Sequence, residues 1–432
     1  MTDSAEAATA QTIRGARAWW VLLALVAGLL AGMLAARMGD GFREPALKVA
    51  STAGGLWLDA LKMTVIPLIV ALLVTGIAKG AEAARAGRVA ARSIAWFIAL
   101  YVASAILGGL GMQALLGAFP LSGASAAALR TGLAGLPAGS VPDTVPTLFD
   151  FFTGIIPSNV VQAAAKGDVL QLVVFALLFA LAVSQIGADR RRPVIAFFDG
   201  VADALLVVIA WVLRIAPLGV FALAFAVGAG AGGRAFEALA HYIVLVSALG
   251  VVIGLAGYLI AITAGRIGAG AFAKGMIAPQ SLAFSTESSL ACLPAMLAAA
   301  RNIGVSQRVA DVTLPMSVAL LRATGPAMNI GVAIYAAHLL GMEIGTGAMI
   351  AGIAVATLAS IGAVSLPGQI SFFTSIAPIA LAMGVPIGPL ALLIAVETIP
   401  DMFRTVGNVT VDVAVAAAVD AAEDRAESRA EA

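Results

Sequence analysis

The sequence predicts an all-α polytopic membrane protein, on the basis of its composition and of the order of its apolar blocks. Of its 432 residues, 61% are hydrophobic and only 11% are charged, whereas an ordinary soluble domain carries about 25% charge. The mean hydropathy is +1.02. Apolar blocks follow one another along the chain, and each is long enough for a helix that crosses a hydrocarbon core of about 30 Å. We therefore expect a bundle of helices with membrane lipid as its surroundings.

The charged and sulfur-containing residues exclude several other classes of protein. Lys and Arg (25) nearly balance Asp and Glu (24), so nothing indicates a nucleic-acid partner. The lone cysteine, Cys292, excludes an intrachain disulfide, and two distant histidines, His241 and His338, give no metal cluster. The sequence contains no Ser/His/Asp set and no phosphate-binding loop. It therefore predicts neither an enzyme nor a bound cofactor.

Residues 18–265 are predicted to form six membrane spans. The polar tail before them, 1–17, does not resemble a cleaved signal peptide. Basic residues cluster before span one, between spans two and three, and between spans four and five, whereas the long connection 120–150 holds only Arg130. Because basic loops remain in the cytoplasm, we expect a cytoplasmic N-terminus. The predicted spans lie at about 18–37, 53–78, 93–117, 169–187, 194–227 and 238–265.

The pattern changes after residue 266, where small and polar residues interrupt the apolar blocks. The breaks lie at 285–289, 324–329 and 365–369. A broken hairpin followed by a polar-centred helix occurs twice, as expected for an inverted-repeat transporter core. Non-helical backbone persists at membrane depth only where it lines a cavity or is buried in protein. We therefore expect a functional core at 266–419 and a charged tail, 420–432, that is a solvated helix end or disordered.

A polar stripe lies near the end of this core. At about 100° per residue, five polar side chains fall within roughly 80° of one another on a helix. Three of them are acids, which are costly in hydrocarbon unless they face a polar cavity, an ion or a charged ligand. A solvated amphipathic surface helix is the alternative, but the flanking residues are apolar enough to span a membrane. The five residues are Glu397, Asp401, Arg404, Asn408 and Asp412.

The chemistry of this stripe suits a binding site. The guanidinium of Arg404 offers a planar fork for a carboxylate, and Asp401, three residues earlier, is its natural counter-ion when the site is empty. Hard cations prefer oxygen ligands, and Asp412 with Asn408 offers two of these one turn apart. A structural salt bridge is the alternative for the first pair, and a helix-end acid near the membrane surface is the alternative for Asp412.

Four motifs spread over the chain resemble those of one family. Residues 62–67 are similar to its second helix and 156–159 to the start of its fourth. Residues 288–294 resemble its serine-rich first hairpin, and 401–412 resemble the last-helix signature of its amino-acid branch. The family is that of the dicarboxylate/amino acid:cation symporters, which includes the glutamate transporters and their bacterial homologues. The similarity extends from about residue 18 to residue 418.

The resemblance implies a glutamate-transporter-like inverted-repeat fold, with eight transmembrane helices and two re-entrant helical hairpins. The chain would form a homotrimer, in which helices 1–6 provide the scaffold while helices 3 and 6 join the transport core. That core would slide across the membrane in the manner of an elevator. A bacterial inner membrane is the expected location.

The resemblance also assigns roles to the substrate-binding residues. Asp401 would hold the amino group of the substrate and Arg404 a side-chain carboxylate. Thr405 and Asn408 would complete the pocket. Two hydroxyls at the hairpin tip would add contacts, although they could equally cap the second arm of the hairpin. These are Ser288 and Ser289.

One sodium site of the family corresponds to Asp412, Asn408 and backbone carbonyls near Thr324. A second is built in the family from carbonyls of the same broken helix and of the second hairpin, near 360–363. A further sodium site is expected to be missing, because Met328 and Ile330 replace its asparagine and aspartate. Its third-helix partners align with Leu100 and Tyr101. We therefore expect coupling to fewer sodium ions, or to protons.

Two acids and one arginine depart further from the family pattern. Glu287 either pairs with Arg404, which would favour a neutral amino acid, or carries a proton, because burial beside other acids favours the protonated carboxyl. Glu397 is a second possible proton carrier. Glu397 and Arg322 could pair with each other or with the pocket, or lie at helix ends and reach the membrane surface.

The expected function is that of an elevator-type symporter coupled to sodium or protons. Its substrate would be an acidic or small neutral amino acid, or a dicarboxylate. The alternatives are an ion-conducting channel or a non-transporting binding protein of the same fold. A channel would require rings of charge around an axis, whereas these acids share one helix with an arginine.

Overall fold

The computed structural model describes residues 20–83, 87–134, 156–362 and 368–431, and within these ranges the chain is helical with no strand. The helices of the N-terminal part are α1 (Trp20–Ala35), α2 (Asp40–Ala83), α3 (Arg88–Ala118), α4 (Gly123–Ala134), α5 (Val160–Lys166), α6 (Val169–Gln185), α7 (Ala188–Arg214), α8 (Ala216–Ala231) and α9 (Arg234–Thr263). Those of the C-terminal part are α10 (Ala269–Thr286), α11 (Ser289–Asn302), α12 (Gln307–Leu320), α13 (Thr324–Leu340), α14 (Thr346–Gly362), α15 (Gly368–Ala382), α16 (Leu390–Leu393) and α17 (Thr398–Glu431).

The all-helical class is therefore confirmed. Six helical stretches in the described ranges are long and apolar enough to cross a membrane, judged by length and composition, and several shorter apolar helices accompany them. One of the six runs from 307 to 340 and contains the interruption between α12 and α13. The apolar helices make the chain an integral membrane protein.

The N-terminal helices pack around α2, which has 44 residues and is therefore about 66 Å long. It lies along α6, α7 and α8, and the indole of Trp57 donates to the carbonyl of Val212 at 3.1 Å. The single span predicted at 194–227 is wrong, because the chain forms two helices that meet at Ile215. Pro217 explains the break, since it has no N–H for the preceding turn and is tolerated in the first turn of a new helix.

The C-terminal helices pack around α17, which lies against α9, α10, α11 and α12. Close approach at Gly407 makes part of this packing possible. A side-chain carbon there would lie 2.5 Å from Thr324 Cγ2 and 3.1 Å from the carbonyl oxygen of Gly250. The missing side chain thus lets both α9 and the start of α13 contact the middle of α17.

Two of the three predicted breaks lie within the described residues. The first is a hairpin, because α10 and α11 pack against each other and only Glu287 and Ser288 separate them. The second lies at 321–323 rather than at 324–329, because Pro326 falls in the first turn of α13, where its missing N–H costs no helical hydrogen bond. The third falls largely at 363–367, outside the described residues.

The predicted tail, 420–432, is a helix end through Glu431, because α17 continues to that residue, but it is not solvated throughout. Glu423 is only 1% exposed and accepts from Arg88 and Arg92 at 2.8 and 2.5 Å, with Arg308 at 3.9 Å. Asp420 accepts from the backbone and hydroxyl of Ser306. These contacts anchor the end of α17 to α3 and to the start of α12, so the tail is ordered by buried acids that the sequence pattern did not distinguish from exposed ones.

Replacing Glu423 with glutamine should lower the free energy of unfolding by about 2 kcal/mol, because hydrogen bonds to a charged group contribute about 1.5–3 kcal/mol. The partly exposed arginines recover some of this by hydration. Thermal unfolding in detergent measures the change. Glu343→Gln, at an exposed position, is the matched control and should leave stability within about 0.5 kcal/mol. Equal effects of the two substitutions would contradict a structural role for Glu423.

Candidate functional site

Arg404 lies at the centre of a buried polar cluster. Its Nη2 donates to Glu397 Oε1 at 2.6 Å, its Nη1 donates to Asn329 Oδ1 at 2.8 Å, and its Nε lies 3.1 Å from Asp401 Oδ1. The side chains of Arg404 and Asp401 are each 14% exposed. Two carboxylates and an amide thus already engage the guanidinium, and a small part of its surface remains exposed.

Glu397 lies directly before α17, at the end of a short 3-10 turn, Ile394–Val396. It is 3% exposed, and its second oxygen accepts from the hydroxyl of Tyr242 at 2.7 Å. The expectations that Glu397 pairs with Arg322 or reaches the membrane surface are therefore wrong. Tyr242 was not predicted as a site residue, since it lies 155 positions away on α9 and no spacing rule relates the two.

The start of α13 docks onto α17 through Thr324. The backbone N–H and hydroxyl of Thr324 lie 2.9 and 2.8 Å from Asn408 Oδ1, and the same hydroxyl lies 3.1 Å from the carbonyl of Arg404. Thr324 has only one hydroxyl hydrogen, which it can donate either to Asn408 or to the carbonyl of Arg404. Asn408 therefore positions the helix break, and when the hydroxyl donates to Arg404 one lone pair of the Asn408 amide oxygen is available to a cation.

Asp412 lies one turn beyond Asn408 and is 0% exposed. Among the described residues, neither of its carboxylate oxygens has a hydrogen-bond partner. A buried, unpaired carboxylate is costly unless a cation or a proton compensates it. The donor set therefore suits a hard cation, with Asp412 as the charged ligand and backbone carbonyls of the nearby helix break as further oxygen ligands.

Helix α3 contributes two hydroxyls to the helix break. Tyr101 donates to the carbonyl of Leu320. The hydroxyl of Ser104 lies 2.5 Å from the carbonyl of Ala323 and 3.2 Å from the N–H of Ala327. Besides the aligned Tyr101, Ser104 therefore brings a hydroxyl to the break, because three residues of helix place it on the same face as Tyr101.

The positions predicted to have lost their sodium ligands are apolar and fully buried. Met328 and Ile330 are both 0% exposed. A side-chain carbon at Gly109 or Gly352 would lie 3.4 or 3.2 Å from the end of the Ile330 side chain. Ile330 therefore packs into the space where α3, α13 and α14 meet.

The first hairpin places Glu287 at its tip, in a left-handed conformation with φ of 51°. No ion pair joins it to Arg404 within the described part of the chain, and Glu397 forms that ion pair instead. Of the two alternatives for Glu287, pairing with Arg404 is therefore wrong.

The two predicted hairpin serines differ in their contacts. The hydroxyl of Ser288 accepts from the N–H of Ala291 at 3.4 Å and so caps α11, while Ser289 begins that helix. Neither is hydrogen-bonded to α17. Thr405, on α17 itself, donates to the carbonyl of Asp401 at 2.9 Å. Hydrogen bonds and an ion pair therefore join Asp401, Arg404, Asn408 and Thr324, whereas within the described residues no hydrogen bond links the hairpin serines to them.

A charged cluster buried at a helix break in a helical membrane protein is typical of transporters, and comparison with known proteins identifies the family. A sequence model of the sodium:dicarboxylate symporter family matches residues 18–422. The chain therefore belongs to that family, which consists of transporters rather than enzymes.

Three relatives illustrate the range within this family. The proton/sodium-glutamate symport protein of Bacillus subtilis is 29% identical over 90% of this chain and 89% of its own length. The C4-dicarboxylate transport protein of Rhizobium johnstonii is 27% identical over 90% and 85%. Neutral amino acid transporter A of Homo sapiens is 28% identical over 91% and 80%. Their names refer to three kinds of substrate at nearly equal identity, so similarity supports cation-coupled transport without choosing a substrate.

Proposed function

We propose that this chain is an elevator-type symporter that imports a small neutral amino acid together with sodium ions or protons. The observation that supports this choice is the engagement of Arg404 by both Glu397 and Asp401. Glu397 still compensates the guanidinium when Asp401 turns to the amino group of the substrate, so little positive charge remains for a side-chain carboxylate of the substrate. An acidic amino acid and a dicarboxylate are the less favoured substrates.

The roles of the individual residues follow from their chemistry. Asp401 offers its carboxylate to the amino group of the substrate, and Thr405 and Asn408 shape the wall around it. The turn at Ser288 and Ser289 offers hydroxyls and the exposed N–H groups at the start of α11 to the substrate carboxylate. Asp412, with backbone carbonyls at Thr324, holds a co-transported cation.

The proposed sodium stoichiometry is lower than the resemblance alone would imply. Ser104 is engaged by the first turn of α13, and Ile330 packs among apolar residues, so this region offers few free oxygens. We expect a sodium-to-substrate flux ratio below that of the glutamate transporters, measured with labelled sodium and amino acid in the same vesicles. An equal ratio would contradict the loss of this site.

Replacing Glu287 with glutamine should remove the pH dependence of amino-acid exchange across vesicle membranes. If Glu287 carries a proton, the competent protonated form is present at low pH and is lost as pH rises, so exchange by the native chain falls at alkaline pH. Glutamine imitates the protonated carboxyl at every pH. The control Glu343→Gln should retain the native profile, and an unchanged profile in Glu287→Gln would assign proton coupling elsewhere, with Glu397 as the next candidate.

The proposed architecture places eight membrane helices and two re-entrant hairpins in each subunit of a homotrimer. Helices within 18–265 would form the scaffold, with α3 and α9 joining the transport core at 266–419. The N-terminus would lie in the cytoplasm, and the host membrane would be a bacterial inner membrane. Mass measurement of the detergent-solubilised complex tests the trimer, and labelling of engineered cysteines from either side of the membrane tests the orientation.

Substrate-induced thermal stabilisation is the first test of the proposed function. A ligand that binds only the folded protein raises its apparent stability with concentration. The panel contains alanine, serine, aspartate, glutamate and succinate, each with sodium, with potassium and at several pH values, followed by vesicle uptake of any ligand that stabilises. Stabilisation by alanine or serine with a cation supports the proposal. A response to succinate alone would overturn the role of Asp401 as an amino-group ligand.

A further inference from the structure

Arg322 is a cation of the helix break that the proposed transport cycle does not use. It lies in the three-residue interruption between α12 and α13. Its Nη1 donates to Ser371 Oγ on α15 at 3.3 Å. Within the described ranges no carboxylate forms an ion pair with it, in contrast to Arg404, which has two.

The backbone and Cβ of Arg322 are held in place by neighbouring residues. Its backbone N lies 3.4 Å from the hydroxyl of Tyr101, and its carbonyl accepts from the N–H of Gly325 at 2.9 Å. A side-chain carbon at Gly325 would lie 3.6 Å from Arg322 Cβ and 3.7 Å from Ser360 Oγ. The arginine therefore lies where the helix break meets both α14, through Ser360, and α15, through Ser371.

The helix break that carries Arg322 also contacts α17. Thr324, two residues later, is hydrogen-bonded to α17 at Asn408 and at the carbonyl of Arg404, so the break contacts this helix between Asp401 and Asp412. Within the described residues neither carboxylate oxygen of Asp412 has a hydrogen-bond partner. Arg322, two residues before Thr324, is therefore a fixed positive charge beside the contact between the break and α17, and it leaves both oxygens of Asp412 unoccupied.

We propose that Arg322 is a tethered cation that compensates Asp401 and Asp412 and thereby lowers the affinity of this region for mobile sodium ions. A fixed positive charge held between the break and the α14–α15 pair repels a second cation from the same oxygens. Arg322 would then be a specificity-determining residue for the coupling ion. This inference rests on the proposed function, since it concerns the cation of that same site.

The test compares sodium-dependent thermal stabilisation of the full chain with Arg322 replaced by lysine or glutamine. The titrations use sodium chloride against choline chloride without an organic substrate. Removal of a unit charge from a partly buried site should raise the apparent sodium affinity roughly tenfold or more. Arg322→Gln should therefore respond at lower sodium concentration than the native chain, and Arg322→Lys should resemble the native chain. Arg322→Met, which keeps the apolar stem, repeats the test if the glutamine variant is not recovered.

The outcomes separate this inference from the proposed function. A structural role alone would lower the stability of the glutamine and methionine variants but leave their sodium dependence unchanged, which would overturn the inference. Vesicle uptake of alanine by the native chain is measured in parallel. If the native chain takes up alanine and Arg322→Gln responds to sodium as the native chain does, the proposal that Arg322 is a tethered cation is wrong and the proposed transport function is supported. A gain of sodium affinity without any uptake supports the tethered cation and rejects the proposed transport.

Discussion

Replacing Asp412 with asparagine should abolish the stabilisation of this protein by sodium and lower the sodium affinity at least about a hundredfold. The carboxylate of Asp412 is fully buried and has no hydrogen-bond partner among the described residues. Removing one partner of a buried charge pair costs about 3–5 kcal/mol, and each 1.4 kcal/mol is a factor of about ten in affinity. The readout is the shift of the unfolding temperature with sodium concentration.

The same substitution has a second, opposite consequence that identifies its cause. Without sodium, the native chain must bury a carboxylate whose two oxygens have no hydrogen-bond partner among the described residues, or protonate it, whereas asparagine is neutral. We therefore expect Asp412→Asn to be at least as stable as the native chain in sodium-free buffer. The control is Asp424→Asn, at an exposed position of the same helix, which should keep the native sodium response. A variant that is less stable in both buffers but still responds to sodium would rule out Asp412 as a cation ligand.

Replacing Glu397 with glutamine should shift the substrate preference toward acidic amino acids by about tenfold to a hundredfold. Glu397 forms the shortest contact of the Arg404 guanidinium, at 2.6 Å. Without this charge only Asp401 compensates the arginine, and Asp401 is expected to turn to the amino group of the substrate. A free guanidinium in a buried site then attracts a side-chain carboxylate. The measurement is competition of aspartate against labelled alanine in vesicle uptake.

Two controls distinguish charge from geometry in this experiment. Tyr242→Phe removes the hydrogen bond to Glu397 but keeps its charge, so uptake should weaken while the preference for a neutral substrate remains. Glu397→Asp keeps the charge on a shorter side chain and should behave in the same way. A shift toward acidic substrates in all three variants would indicate that the position of Arg404, and not its compensation, sets the preference.

Much of the fold could be predicted because a helix that spans lipid must be apolar along its length. The apolar blocks, the turn at Glu287 and the polar stripe on α17 all follow from composition and helical periodicity. The break at Ile215 was also within reach, since Pro217 marks it. Which acids of 420–431 are buried could not be predicted, because an alternation of acids and arginines does not distinguish a buried acid from an exposed one.

The partners of the site residues could not be predicted for a different reason. Helical periodicity shows which side chains share a face but not which helix covers that face. Asn329 and Tyr242 reach Arg404 and Glu397 from α13 and α9, which lie 75 and 155 positions away in the sequence. Ser104 was not predicted as a site residue because the family's third-helix positions were aligned with Leu100 and Tyr101. The serine lies about one turn later, on the face of α3 that contacts the break.

The hydroxyls of Ser104 and Tyr101 also constrain how the chain can be assembled in the membrane. Their acceptors in the helix break lie 219 positions later in the sequence, so α3 enters the bilayer long before those acceptors are synthesised. Until then a serine can bond a carbonyl of its own preceding turn, but a tyrosine side chain needs a partner elsewhere, such as water or lipid head groups. We therefore expect α3 to remain loosely placed, or near the interface, until α12 and α13 arrive. The binding site is then one of the last parts of the molecule to form.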